Sequence, residues 1–273
     1  MIGATTFAAV ANPYFSLLEG GPAAAVYHAD PATGGPWAAH LQHGGPPTAL
    51  LAAVAEQLVQ DHAGRTDLAG MRLAAEFVGP VPVGELTVDA TVVRSARTAA
   101  LVDAVMAAGG RVCLHARIWL VRLADTADVA PRVPPPAPTP DELPGLDGKF
   151  PYADSLEWRV IRGGIRAPGP GVVWARPNRP ILDGIELSSL QRACLIGDSA
   201  SGISAELDWT QWSFLNIDLD VHLARPIVGE WLQLDAATQL GPAGSALARS
   251  TLSDLSGPVG ATLQTLVVEP RRQ

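Results

Sequence analysis

Residues 77–90, FVGPVPVGELTVDA, and residues 223–236, LARPIVGEWLQLDA, carry one pattern twice. A proline, a Gly-Glu pair and an Asp-Ala pair recur in the same order, with one residue lost and another gained between them. In both copies turn formers lead into a run of alternating or β-branched residues, which predicts a loop entering a strand. A motif that returns in this way marks a duplicated unit, so two similar domains are expected.

Working outward from the first copy, residues 44–61 (GGPPTALLAAVAEQLVQD) open with glycine and proline and continue in good helix formers. The segment is apolar nearly all round between 49 and 54, which predicts a buried helix. Strand-like runs follow at 71–78, 86–94, 99–107 and 112–123, with turn signals at 80–84 and 109–110 between them. Around the second copy the order repeats: strands at 156–162 and 172–176, a helical segment at 187–201, then strands near 214–223, 231–238, 246–253 and 261–268. Seven prolines between positions 131 and 144 mark residues 124–155 as an extended spacer, since proline cannot join a sheet interior. The expected division is therefore 1–123, a linker at 124–155, and 156–273, each unit an α+β arrangement of a helix and an antiparallel meander. Pairing the two units would cover one sheet edge of each and leave a natural cleft at the seam; the other edges leave assembly with further copies open.

Composition narrows the function. The chain has 273 residues, 48% hydrophobic and 17% charged, enough apolar material for a sizeable core and unlike a coiled coil, a collagen or a disordered tail. A net charge of −8 disfavours broad nucleic-acid binding, which needs a basic surface to neutralise phosphates. The longest apolar run, 49–55, is far shorter than the roughly 20 residues of a membrane span. The stretch MIGATTFAAVANPYF (1–15) has no Lys or Arg to begin a secretory signal, so the cytoplasm is the expected compartment. Cys113 and Cys194 are expected as buried free thiols. With no Cys/His cluster, P-loop or dinucleotide fingerprint, neither a metal nor an organic cofactor is expected.

The stretch HGGPPTALL (43–51), the helix LQRACLIGDSASGI (190–203), the strand FLNIDLDVHLARP (214–226) and the ending GPVGATLQTLVVEP (257–270) together resemble the thioesterase II-like acyl-CoA thioesterases. The resemblance implies a double hotdog fold, two tandem units of antiparallel sheet each wrapped around a long helix. It implies hydrolysis of an acyl-CoA thioester to free acid and CoA, a reaction of lipid metabolism. Matched position by position, it implies a water-activating trio of Asp198, Asn216 and Gln264. Asn216 departs from the family, which has Ser, Thr or a similar polar residue there; an amide orients water but cannot share a hydroxyl proton as Thr can.

The residues themselves argue part of this. At 100° per residue Asp198 shares a helical face with Leu187, Leu190 and Cys194, and a carboxylate on an apolar face must be paired or hydrogen-bonded if buried. The plain alternative is an Asp at a local turn or solvated past the helix end. Gln264 lies among Leu263, Thr265, Leu266 and Val267, and strand alternation leaves it inward or outward. Asn216 shares parity with Asp218, Asp220 and His222, a polar row that reads as a solvent face; only a late start or a bulge would turn it into the seam.

His43 stands before Gly44-Gly45 at the helix entrance, where free N–H groups could meet a ligand oxygen, although a glycine turn would explain the same letters. The amide of Gly44 or Gly45 is the expected oxyanion donor. Arg225, Arg176 and Arg179 are candidates for the CoA phosphates because they lie near strand ends. His222 is expected to be an ordinary surface histidine. A non-catalytic acyl-CoA or lipid binder, motivated by Asn216, and an acyl-thioester hydratase, opposed by the missing motif, are the alternatives.

Overall fold

The computed structural model describes residues 12–131 and 133–271; residues 1–11 of the amino-terminal stretch read above for a leader lie outside the described residues. A hairpin comes first, β1 (Phe15–Gly21) with β2 (Ala24–Ala29), followed by α1 (Gly45–Ala63). Pro46 and Pro47 fall in the first turn of α1, where a missing N–H removes no helical bond. Residues 49–55 are buried on every side, as an all-round apolar helix requires. The meander β3 (Leu68–Phe77), β4 (Glu85–Ser95), β5 (Ala99–Ala108) and β6 (Arg111–Arg122) then matches the expected strands to within a few residues.

The second half begins with the short α2 (Pro151–Asp154), β7 (Leu156–Arg162) and β8 (Gly171–Pro177). Its helical segment is broken. α3 (Ser189–Gly197), capped by the Ser188 hydroxyl accepting from the Gln191 amide, stops at Asp198, and α4 (Ala200–Ile203) resumes after a tight turn in which Ser199 N–H bonds to the Ile196 carbonyl. Then come β9 (Trp212–Asn216), β10 (Asp218–Leu223), β11 (Leu232–Leu240), β12 (Ser245–Asp254) and β13 (Gly257–Pro270).

The strands form one antiparallel sheet in the order β1-β2-β4-β5-β6-β3-β10-β13-β12-β11-β8-β7, with β9 attached to β13. Read from either end, the order assigns equivalent places to strands of the two halves: β4 and β11, which the two copies of the repeated motif lead into, are each third from an edge. The halves meet where β3 pairs β10, with Leu73 opposite Val221 and Ala75 opposite Leu219. At the far edges, Tyr14 and Phe15 donate backbone hydrogen bonds to Pro180 and Ile181. Leu50, Leu51 and Val54 of α1 and Leu190, Leu195 and Ile196 of α3 belong to one continuous core. The two helices run antiparallel: Gly45 lies against Leu195, while Glu56 reaches Ser188 and Gln191.

The proline-rich segment is an extended spacer only in part. The Pro138 carbonyl accepts from Trp174 Nε1 at 2.9 Å, the Pro144 carbonyl accepts from Val160 N–H at 2.7 Å, and Tyr152 is fully buried. The last residues of the expected linker are thus fixed in the core, because an aromatic run (Phe150, Tyr152) follows the prolines. No helix among the described residues is long and apolar enough to cross a membrane.

Candidate active site

The site is centred on Asp198, at the carboxyl end of α3 and only 4% exposed. That end of a helix carries negative partial charge, so a carboxylate there needs donors from elsewhere. Three converge on it. Asn216 Nδ2, at the end of β9, donates to Oδ1 at 2.9 Å, and Gln264 Nε2, from β13, donates to the same oxygen at 3.0 Å. His43 Nδ1, from the loop before α1, lies 2.8 Å from Oδ2.

Each donor is oriented by a second contact. The N–H of Ser201 donates to Gln264 Oε1 at 3.2 Å, which turns the NH2 end of that amide toward Asp198. Asn216 Nδ2 also donates to the Asp218 carbonyl at 3.2 Å. The His43 ring stacks on Tyr152, centroids 4.3 Å apart, and more distantly on Phe150. A carboxylate only accepts, so the proton on Nδ1 faces Oδ2; the 3.3 Å approach of the Gly45 N–H to that nitrogen is then a close contact and not a second bond. Tyr152 Oη donates to the Leu195 carbonyl, and burial, with Tyr14, Asp198 and Cys194 nearby, holds its phenol well above the ordinary value, so it stays neutral.

The glycines at the start of α1 are explained by close approach. A methyl group at Gly44 would lie 2.8 and 2.9 Å from the two Asp198 oxygens and 2.7 Å from Phe77 Cζ. One at Gly45 would lie 2.7 Å from the Leu195 carbonyl and 2.9 Å from Tyr152 Oη. Only hydrogen at these positions lets the entrance of α1 sit against the end of α3. The Gly44 N–H has no hydrogen-bond partner among the described residues.

Asn216 reaches this site through a break in the strand. Sequence alternation had placed it with Asp218, Asp220 and His222. Asn216 pairs with Leu266 and Asp220 with Leu263, so four steps on one strand span three on the other. That extra residue is a bulge, and it reverses the parity of everything before it. Asp218, two residues on, turns away from Asp198 and accepts from the N–H and hydroxyl of Thr265. Gln264 occupies the inward parity of β13 with Thr262 and Leu266 and is fully buried.

The arginines are held elsewhere. Arg225 donates to both oxygens of buried Asp254, at 2.6 and 2.7 Å, and to the Gly257 carbonyl. Burial alone would raise the Asp254 carboxyl, but Arg225 and the N–H groups of Val228 and Ser256 outweigh it and hold the group below its usual range. Arg176 pairs with Glu157 and Glu230, and Arg179 with Asp30. His222 is exposed and pairs across the seam with Arg72. Both cysteines are free and buried. Two parts of the site escaped sequence reading: the His43–Asp198 contact, which no spacing signals, and the Tyr152 and Phe150 support, hidden at the end of the proline-rich stretch.

Residues 33–121 match the model of the acyl-CoA thioesterase N-terminal domain, and residues 130–268 that of the acyl-CoA thioesterase C-terminal domain. Among solved structures, a provisionally assigned thioesterase from Novosphingobium aromaticivorans is 23% identical, with 94% of this chain and 99% of that one covered and a TM-score of 0.72. A conserved protein of unknown function with a hot dog fold from Alicyclobacillus acidocaldarius is 16% identical over 94% and 96% of the two chains, TM-score 0.73. An acyl-CoA thioesterase II from Mycobacterium marinum is 14% identical over 90% and 92%, TM-score 0.66. At such identities the likeness is one of fold. No curated protein matches the sequence. The two matched domains, in order and together spanning most of the sequence, assign this chain to the acyl-CoA thioesterase family.

Proposed function

We propose that the protein hydrolyses acyl-CoA thioesters by water attack assisted by Asp198, on a double hotdog framework whose units are residues 1–123 and 156–273, joined by 124–155. The observation that carries the chemistry is the convergence of Asn216, Gln264 and His43, from three separate elements, on one buried carboxylate. The mirrored strand order and the repeated motif before β4 and β11 support the two-unit reading.

An ionised carboxylate has about four acceptor sites, and three donors leave one for a water. Asp198 removes a proton as that water adds to the thioester carbonyl, with Asn216 and Gln264 holding the carboxylate in line. The Gly44 N–H is the donor for the developing oxyanion. Collapse of the tetrahedral intermediate breaks the C–S bond; the thiolate leaves as CoA, which takes up the proton, and the acyl group leaves as the carboxylic acid. His43 fixes the direction of the carboxylate through Oδ2. Arg225, Arg176 and Arg179, each already paired with a carboxylate, are the candidates for the CoA phosphates through their remaining N–H groups.

Thiol release from a panel of acyl-CoAs, followed with a thiol-reactive dye and no added metal, is the test. Steady release is expected. Binding without release would make the protein an acyl-CoA binder, and a change in enoyl absorbance without thiol would make it a hydratase.

A further inference from the structure

Beside His43 and Ser199 lies a cavity walled mostly by apolar groups: Leu146, Phe150, Trp158, Ile165, Ile203 and Trp209. Ser199 follows Asp198 directly and the His43 ring touches its carboxylate, so the cavity adjoins the hydrolytic site. Its accessible volume is about 30 Å³. A water-sized sphere needs roughly 10–15 Å³ by the same measure, so two or three such groups fill it.

The walls are braced. Trp158 is buried and its Nε1 donates to the Ala153 carbonyl at 3.0 Å. Trp209 is fixed in an aromatic cluster, stacked on Trp37 at 4.8 Å and edge-on to Phe214 at 4.6 Å. Ile165 presses on the segment that carries Leu146 and Phe150, where a methyl group on Gly148 would come within 2.9 Å of its Cδ1. Deepening the cavity past Trp158 or Trp209 would mean breaking one of these contacts. Gly202 also lines it, and an added side-chain carbon there would stand 3.7 Å from the Trp209 ring, an ordinary contact distance.

Resting on the thioesterase reading, we infer that this cavity takes the acyl group and limits the substrate to short, compact acyl chains, about two or three carbons beyond the carbonyl. Uncharged aliphatic groups fit the lining, and a longer chain would have to lie along the half-exposed rim of Leu146, Phe150 and Trp209, where it gains less burial.

The test compares kcat/KM for acetyl-, butanoyl-, octanoyl- and dodecanoyl-CoA, and ranks binding of the same four by quenching of tryptophan fluorescence. Butanoyl-CoA is expected to exceed dodecanoyl-CoA by about 100-fold or more, since single methylenes in a fitted pocket already discriminate by roughly ten- to 200-fold. Ile165→Ala, at a half-buried loop position, should narrow that ratio by about tenfold. Gly202→Val should depress butanoyl-CoA turnover more than acetyl-CoA turnover. Equal or better turnover of dodecanoyl-CoA would overturn the inference and leave the thioesterase reading intact. If no thioester were hydrolysed, the hydrolytic reading would fail, and the binding order would still decide the size limit: tighter dodecanoyl-CoA, or no binding at all, would reject it. Melting curves separate a misfolded variant from a reshaped pocket.

Discussion

A buried carboxylate, Asp198, and a half-buried one, Glu56, lie where the same two antiparallel helices meet, Asp198 at one end and Glu56 further along, and their partners differ. Glu56, on α1, accepts from the Ser188 hydroxyl at 2.9 Å and from Gln191 Nε2 at 2.7 Å. Its donors come from the first turn of α3, and Ser188 is itself that helix's cap. Burial raises the Glu56 pKa in spite of the hydrogen bonds from Gln191, Ser188 and Gly70. Asp198 gathers its donors from β9, β13 and the entrance of α1, and it adjoins a cavity. A carboxylate whose partners all come from one turn of a second helix fastens the two helices. One whose partners are drawn from separate elements is held in a set direction.

The comparison breaks most sharply at Asp198. Asp198→Asn keeps the size of the side chain but removes the base, and thioester hydrolysis should fall by about 10²- to 10⁴-fold. The melting temperature should change little by comparison. Parental turnover in a folded Asp198→Asn protein would sink the assignment and send the search for a base elsewhere.

Gly44→Ala should come next. The added methyl would sit inside 3.0 Å of both Asp198 oxygens and of Phe77, so the entrance of α1 must shift. Overpacking of this kind costs about 1–3 kcal/mol in stability, and turnover should fall with the displaced carboxylate. A crystal structure or melting curve indistinguishable from the parent would show that the close approach is not needed.

Most of the sheet was legible because its strands alternate: β4 and β5 turn every second residue inward, and β13 does so from Thr262 to Leu266, beyond a bulge at Val259. β1 was not, because from Ser16 to Gly20 it is exposed on both faces and so lacks a period. α1 announced itself by being apolar all round. In the site, Asp198 stood out as a carboxylate on an apolar helix face, whereas Asn216 was legible only through resemblance, since its inward turn depends on a one-residue bulge against β13. The contact of His43 with Asp198 depends on two helix ends meeting across the molecule, which the sequence expresses only as two adjacent glycines. Glu56 gave no signal: an acid that begins the more polar end of α1, before Gln57, Gln60 and Asp61, looks solvated until α3 lies across it.

The smallest effect belongs to Glu56, and its sign is the informative part. A carboxyl whose folded pKa is raised takes up its proton more readily when folded, so between the unfolded value near 4.3 and the folded value the folded state binds more protons. Stability from this group is therefore fully present below the unfolded pKa and lost as pH rises through the folded one, with a slope of at most about 1.4 kcal/mol per pH unit. Glu56→Gln removes the ionisation. Gln191 Oε1 is buried without a partner, so rotation of that amide would offer the new NH2 group an acceptor and keep the helices joined. The variant should match the parent within about 1 kcal/mol at pH 7 or exceed it, because a neutral group of similar shape escapes the burial penalty. Paired Asp254, whose carboxyl is held low, contributes the opposite slope as pH falls through its folded pKa, so the quantity to measure is the difference in urea stability between parent and variant across pH 4 to 8. A difference that closes or reverses toward acid pH is expected. A variant several kcal/mol less stable at pH 7, with thioester hydrolysis lost alongside, would mean that Glu56 works ionised, and the contrast with Asp198 would collapse.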